Sequence, residues 1–181
     1  PTTMAKTNNW IFKALIIITC LIFIGLCIEA GGLLVNFVFS LYRPEFVQNL
    51  YQKLDLSEMY ERSKFAFFSM YSFILVISLL KAVLFYIAVL LVSKIDLAKP
   101  FSTYVSKRIS QISYYTLSIG LLSYIANQSA KNLMHHGYEI DNLNQFWEDS
   151  QAFILMAAVI YIIATIFKKG VEIQNENDLT V

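Results

Sequence analysis

The chain has 181 residues, 57% of them hydrophobic and 15% charged, with a formal net charge of +1 at neutral pH. Soluble domains carry about 25% charged residues, so the deficit points to a surface that faces lipid, and the near-neutral balance gives no basic field for direct nucleic-acid binding. The length suits one domain, read as residues 4–181.

Met4 reads as the natural start, which sets Pro1, Thr2 and Thr3 outside the argument. The first apolar segment covers about residues 10–40. It is about twice the length of a signal-peptide core, so an uncleaved spanning helix is expected. Cys20 and Cys27 both lie in it. On a helix they stand roughly 10 Å apart along the axis, too far for a disulfide, and read as packing residues. The chain has no CxxC, so thiol-redox catalysis has no support in the sequence.

The connection that follows carries Pro44, which can open a helix with Phe46, Val47, Leu50, Tyr51 and Leu54 on one face. A short helix lying at the membrane interface is expected there. The second spanning segment covers about 65–93. Pro100 then stops it, Ser102 can cap the next helix, and Phe101 can tuck against the bundle. The third segment, about 104–136, is the most polar and ends near Gly137. Asp141 can cap an extended fourth segment, about 142–169, with Phe146 and Trp147 at headgroup level. The expected fold is all-α, a four-helix transmembrane bundle with the short interfacial helix in its first outer loop. Strands of about ten alternating residues, which a membrane barrel requires, are absent.

Charge sets the orientation. Lys6, Lys13, Lys94, Lys99, Lys107, Arg108, Lys168 and Lys169 fall on one side. Arg43, Lys53, Arg62, Lys64 and Lys131 fall on the other, along with most of the loop acids. The basic excess puts both termini and the middle loop in the cytoplasm.

Two charges interrupt apolar runs, Glu29 and Lys81. Such residues are costly in lipid and mark paired or functional positions. Glu29 stands roughly 24 Å beyond Lys13, and Lys81 roughly 20 Å beyond Lys94, at 1.5 Å per residue. The depths agree within about a turn, so an ion pair between the first two helices is one reading; separate access to water, or a pair that only sets register, is the other. Gly25, Glu29, Gly32 and Asn36 share a helix face, as do Ser113, Thr116, Gly120, Ser123 and Asn127, with Tyr124 beside them. Interhelical hydrogen bonding explains such stripes without a ligand, and a polar cavity is the sharper alternative. His135 and His136 are adjacent and so point about 100° apart, unlike the i, i+4 pair of a zinc helix. No metal site, cofactor or catalytic motif is expected, and the chain reads as non-enzymatic.

The tail, 170–181, is acidic through Glu172, Glu176 and Asp178, with Leu179 and Val181 closing it. It can be a loose end, fold back on Lys94, Lys99, Lys107 and Arg108, or present a linear motif to a partner. Its letters, Gly170-Val171-Glu172-Ile173-Gln174-Asn175-Glu176-Asn177-Asp178-Leu179-Thr180-Val181, resemble the closing signature of a bacterial membrane family, domain of unknown function 2975. Pro100-Phe101-Ser102 is similar to that family's inner-loop element, and Lys107-Arg108-Ile109 to its entrance to the third helix. The resemblance implies four hydrophobic segments in a bacterial cytoplasmic membrane. It also implies a small helix-turn-helix regulator as neighbour, because members are often encoded beside one.

The leading reading is therefore a membrane protein that senses or tethers such a regulator through Pro100, Phe101, Glu172, Glu176, Asp178, Leu179 and Val181. The alternative is a small transporter or ligand-binding bundle using Glu29, Lys81, Asn36, Asn127 and Tyr124. Partners on either reading are the lipid bilayer and, in the first, the regulator; homo-oligomers are compatible with both.

Overall fold

The computed structural model describes residues 2–51, 54–96 and 99–178. These residues are almost wholly helical, with no strand among them. Four helices are long: α1 (Thr2–Tyr42), α3 (Lys64–Lys94), α4 (Thr103–His135) and α5 (Ser150–Asp178). A short α2 (Ser57–Arg62) and two 3₁₀ helices, Pro44–Gln48 and Asp141–Phe146, fill the connections at one end. Three stretches are long and apolar enough to cross a membrane: Trp10–Tyr42, Lys64–Lys94 and Asp141–Asn177. α4 falls short of them in apolar character, as its serines, lysines and asparagines foretell.

Local chemistry sets the helix ends. α1 stops just before Arg43-Pro44, where the residue preceding a proline is pushed out of the helical region. Ser63 leaves helical geometry at φ −157°, and its hydroxyl accepts from the Ala66 N–H at 3.2 Å, which opens α3. Ser102 opens α4 in the same way, accepting from Val105 N–H at 3.3 Å. At the other end of α4, Gly137 takes φ 80°. Its N–H donates to Met134 O at 2.9 Å while Tyr138 N–H donates to Leu133 O at 3.2 Å, the paired bonds of a Schellman ending.

The long helices pack in chain order: α1 on α3, α3 on α4, α4 on α5. α1 makes at most marginal contact with α4 or α5, so the four long helices lie as a row in which α1 packs closely on α3 alone among them. Pairing between first and last helices depends on surfaces that neither helix advertises alone.

The end carrying both 3₁₀ helices and α2, called here the capped end, holds the larger core. Val47, Leu50, Leu54, Leu56 and Met59 from the first connection meet Phe67, Met70, Tyr71 and Ile74 of α3 and Leu143, Phe146 and Trp147 of the last connection. The short helix expected to open at Pro44 is a 3₁₀ helix, Pro44–Gln48, followed by a reversal, with Leu50 N–H donating to Leu54 O at 3.0 Å and Leu56 N–H to Val47 O at 3.2 Å. That reversal turns Val47, Leu50 and Leu54 onto protein instead of lipid. Lys53, and the side chain of Phe46, lie outside the described residues.

Phe146 and Trp147 are likewise not headgroup anchors. They are 6% and 2% exposed, packed in the cap core. Asp141 heads the second 3₁₀ helix, and α5 begins only at Ser150. The opposite end, which carries the 95–102 loop and the helical extremities, has a smaller core of Val105, Ile109 and Ala164, with Leu91, Tyr104, Ile160 and Phe167 around it.

Candidate functional site

The mid-row charges do not pair. Glu29 and Lys81 are both half-buried, and among the described residues neither is part of an ion pair. They do share a layer. The Phe23–Tyr86 ring contact, 5.8 Å between centroids, and the Tyr71 hydroxyl donating to Leu33 O at 3.0 Å bracket both positions along α1 and α3. Lys81 instead carries its ammonium over the Phe153 ring of α5, 5.8 Å from the centroid.

The polar stripe of α4 is a packing seam. Ser113, Thr116, Gly120 and Ser123 are buried. Ser113 Oγ donates to Ala157 O of α5 at 2.9 Å, and Thr116 Oγ1 bonds within its own helix to Ile112 O at 2.7 Å. A Cβ on Gly120 would stand 2.7 Å from Ile154 Cγ1 and 2.9 Å from Ile154 N. Glycine there is what lets α5 approach. Asn127 continues the stripe half-buried, whereas Tyr124 turns outward, 46% exposed. Asn36 is half-buried on α1, and Gly32 above Glu29 is covered by the Tyr51 ring of the first connection instead of by a helix.

Cavities at the capped end include about 200 Å³ among Asp55, Glu58, Glu139 and Asp141, about 410 Å³ between α3 and α4 at Ser69, Phe73, Ser129 and Asn132, and about 250 Å³ beside Glu45, Gln48 and Glu61. None of these three includes Glu29, Lys81, Asn36, Asn127 or Tyr124. Asp55 accepts from the Ser57 N–H at 2.9 Å and its hydroxyl at 2.7 Å, which hold its carboxyl below the ordinary carboxylate range. His136 Nδ1 pairs with Asn132 O at 2.8 Å, and no group of three or more His, Cys, Asp or Glu among the described residues is placed to hold a metal ion.

At the opposite end, Phe101 and α5 meet. The Phe101 ring lies 5.2 Å from that of Phe167 and sits directly over Gly170, where any Cβ would collide with it. Tyr104 braces the same end: its hydroxyl donates to Leu90 O at 3.0 Å, with Lys94 at 6.0 Å and Arg108 at 5.2 Å from its ring centroid. α5 does not end at Gly170. It continues as helix to Asp178, so the stretch read from sequence as a tail is a helical extension through that residue. Glu172 pairs at 2.8 Å with Lys169 on the same helix rather than folding back on the 95–102 loop. The side chain of Asp178, and Leu179, Thr180 and Val181 entirely, lie outside the described residues.

A family model described as "Protein of unknown function (DUF2975)" matches residues 46–181. The chain belongs to this family. No curated protein and no solved structure matches it. The DUF2975 match leaves α1 outside and takes in everything from the first connection onward, so Lys81 lies within it and Glu29 does not. Two of the stretches that carried the resemblance, Pro100-Phe101-Ser102 and the segment from Gly170, touch each other in the fold through the Phe101 ring.

Proposed function

We propose that this DUF2975 protein is a non-enzymatic, four-pass protein of a bacterial cytoplasmic membrane that docks a small helix-turn-helix regulator at its cytoplasmic end. That α4 also crosses the bilayer is supported by its place in the row: it lies between α3 and α5 and matches them in length. The arrangement of Lys and Arg favours the cytoplasm for both termini and the 95–102 loop.

The observation that carries the docking reading is the bracing of α5. The helix runs on from Gly170 to Asp178, and Phe101 clamps it where it leaves the row. A preformed helix bearing Glu172 and Glu176 loses less conformational freedom on binding than a loose tail. The transporter or ligand-binding alternative draws no comparable support, since the α4 stripe is occupied by α5 and Tyr124 points away from it.

Affinity purification from membranes of cells that also express the regulator tests the proposal. Full-length protein should retain the regulator, deletion of 175–181 should lose it, and Phe101→Ala should weaken retention with the protein still folded. Equal retention by all three would contradict it.

A further inference from the structure

The row leaves α1 with one neighbouring long helix. Apolar residues on most of its circumference are exposed, among them Ile17, Leu21, Ile24, Ile28 and Val35. A Cβ built on Gly25 would meet nothing within 4 Å. Lipid suits this surface, with one exception. Glu29 lies at the edge of it, beside the buried Ala30 and Leu33 and about midway along the apolar run, half-buried and, among the described residues, without an ion pair. On α3, Lys81 is the matching case: a cation in an apolar run, half-buried, its ammonium set against the face of a phenyl ring. A charge within a bilayer is stabilised by a partner of opposite sign, and these two lie in one layer without meeting each other.

We infer that a second copy of this chain docks on the flank of α1 that carries Gly25 and Glu29, so that Glu29 of each copy pairs with Lys81 of the other. The symmetry of the problem favours this occupant. A two-fold axis along the membrane normal keeps every residue at its own depth, so two charges in the same layer can meet across such an axis, twice over. A foreign partner would have to supply both complementary charges itself, whereas a copy of this chain already holds them. The inference depends on α1 and α3 crossing the bilayer and not on any cytoplasmic regulator.

Reciprocal charge exchange tests it. Chains carrying two different affinity tags are co-expressed, extracted in mild detergent and purified on the first tag, and the recovery of the second tag is read. Wild-type chains should co-purify. Glu29→Lys chains alone, and Lys81→Glu chains alone, bring like charges together at both contacts and should lose most of that recovery. Glu29→Lys chains co-expressed with Lys81→Glu chains regain opposite charge at both contacts and should return to the wild-type level. Rescue by mixing also reads out when either variant accumulates poorly alone. Wild-type chains that run at monomer mass, single variants that co-purify as wild type does, or a mixture that recovers no second tag would each overturn the inference.

Discussion

Arg62 closes a helix to which it does not belong. From the last turn of α2 its guanidinium donates to Gly137 O at 2.6 Å and to His136 O at 3.0 Å, while lying 4.1 Å from the Tyr138 ring centroid. The carbonyls at the end of α4 have no partner within their own helix, and the cation also meets the negative end of the helix dipole. One side chain thus ties the first connection to the last across the capped end.

Arg62→Ala should therefore lower the melting temperature in detergent, by the equivalent of roughly 1–2 kcal/mol for a partly exposed, charge-assisted bond pair. Arg62→Lys should recover only part of the loss, because an ammonium cannot reproduce the fork. Thermal unfolding followed by circular dichroism reads both, and an unchanged midpoint for Arg62→Ala would show that the contact carries no stability.

Gly120 and Gly31 give opposite expectations for the same substitution. Gly120→Ala places a Cβ against the Ile154 backbone, so α5 must shift, at a cost of about 1–3 kcal/mol. At Gly31 an added Cβ meets nothing within 4 Å, and Gly31→Ala should be neutral or gain up to about 1 kcal/mol from helix propensity. Denaturation midpoints of the two variants, compared side by side, decide it.

Asp55 adds an acid-sensitive contribution at the start of α2. Its carboxyl is held below the usual range by Ser57, so its contribution is complete above the ordinary aspartate pKa of about 4 and is lost as pH falls through the lower folded value. Asp55→Asn should remove a small part of the acid destabilisation below about pH 4. Melting curves across that range check it, and parallel pH profiles for wild type and variant would contradict it. The group is almost fully exposed, which keeps the effect small.

What could be read from the sequence and what could not divide along physical lines. The long helices were legible because each apolar run is itself the signal, and Ser102 and Gly137 marked ends whose chemistry is local. The inward turn of Ser113 and Gly120 followed from helical spacing. Trp147 and Phe146 misled because an aromatic near a spanning segment looks the same whether it will meet headgroups or a folded cap. Val47, Leu50 and Leu54 suit an amphipathic helix as well as the reversal they form, and only the cap residues distant in sequence select the latter. Arg62 and Gly137 stand 75 residues apart, with nothing in either stretch to announce the other. At the mid-row site, equal depth for Glu29 and Lys81 was legible from counting, but the direction of Lys81 toward Phe153 depends on how α5 sits beside α4.

The central claim, four crossings with the termini in the cytoplasm, is tested most directly by the sidedness of the two ends of α4. In a background lacking Cys20 and Cys27, single cysteines are placed at positions 53, 99, 137 and 176 and treated in intact cells with a membrane-impermeant maleimide. The account predicts labelling at 53 and 137, and protection at 99 and 176 until the membrane is broken. Like labelling at 99 and 137 would show that α4 does not cross, and labelling at 99 and 176 with protection at 53 and 137 would show that the protein is inserted the other way.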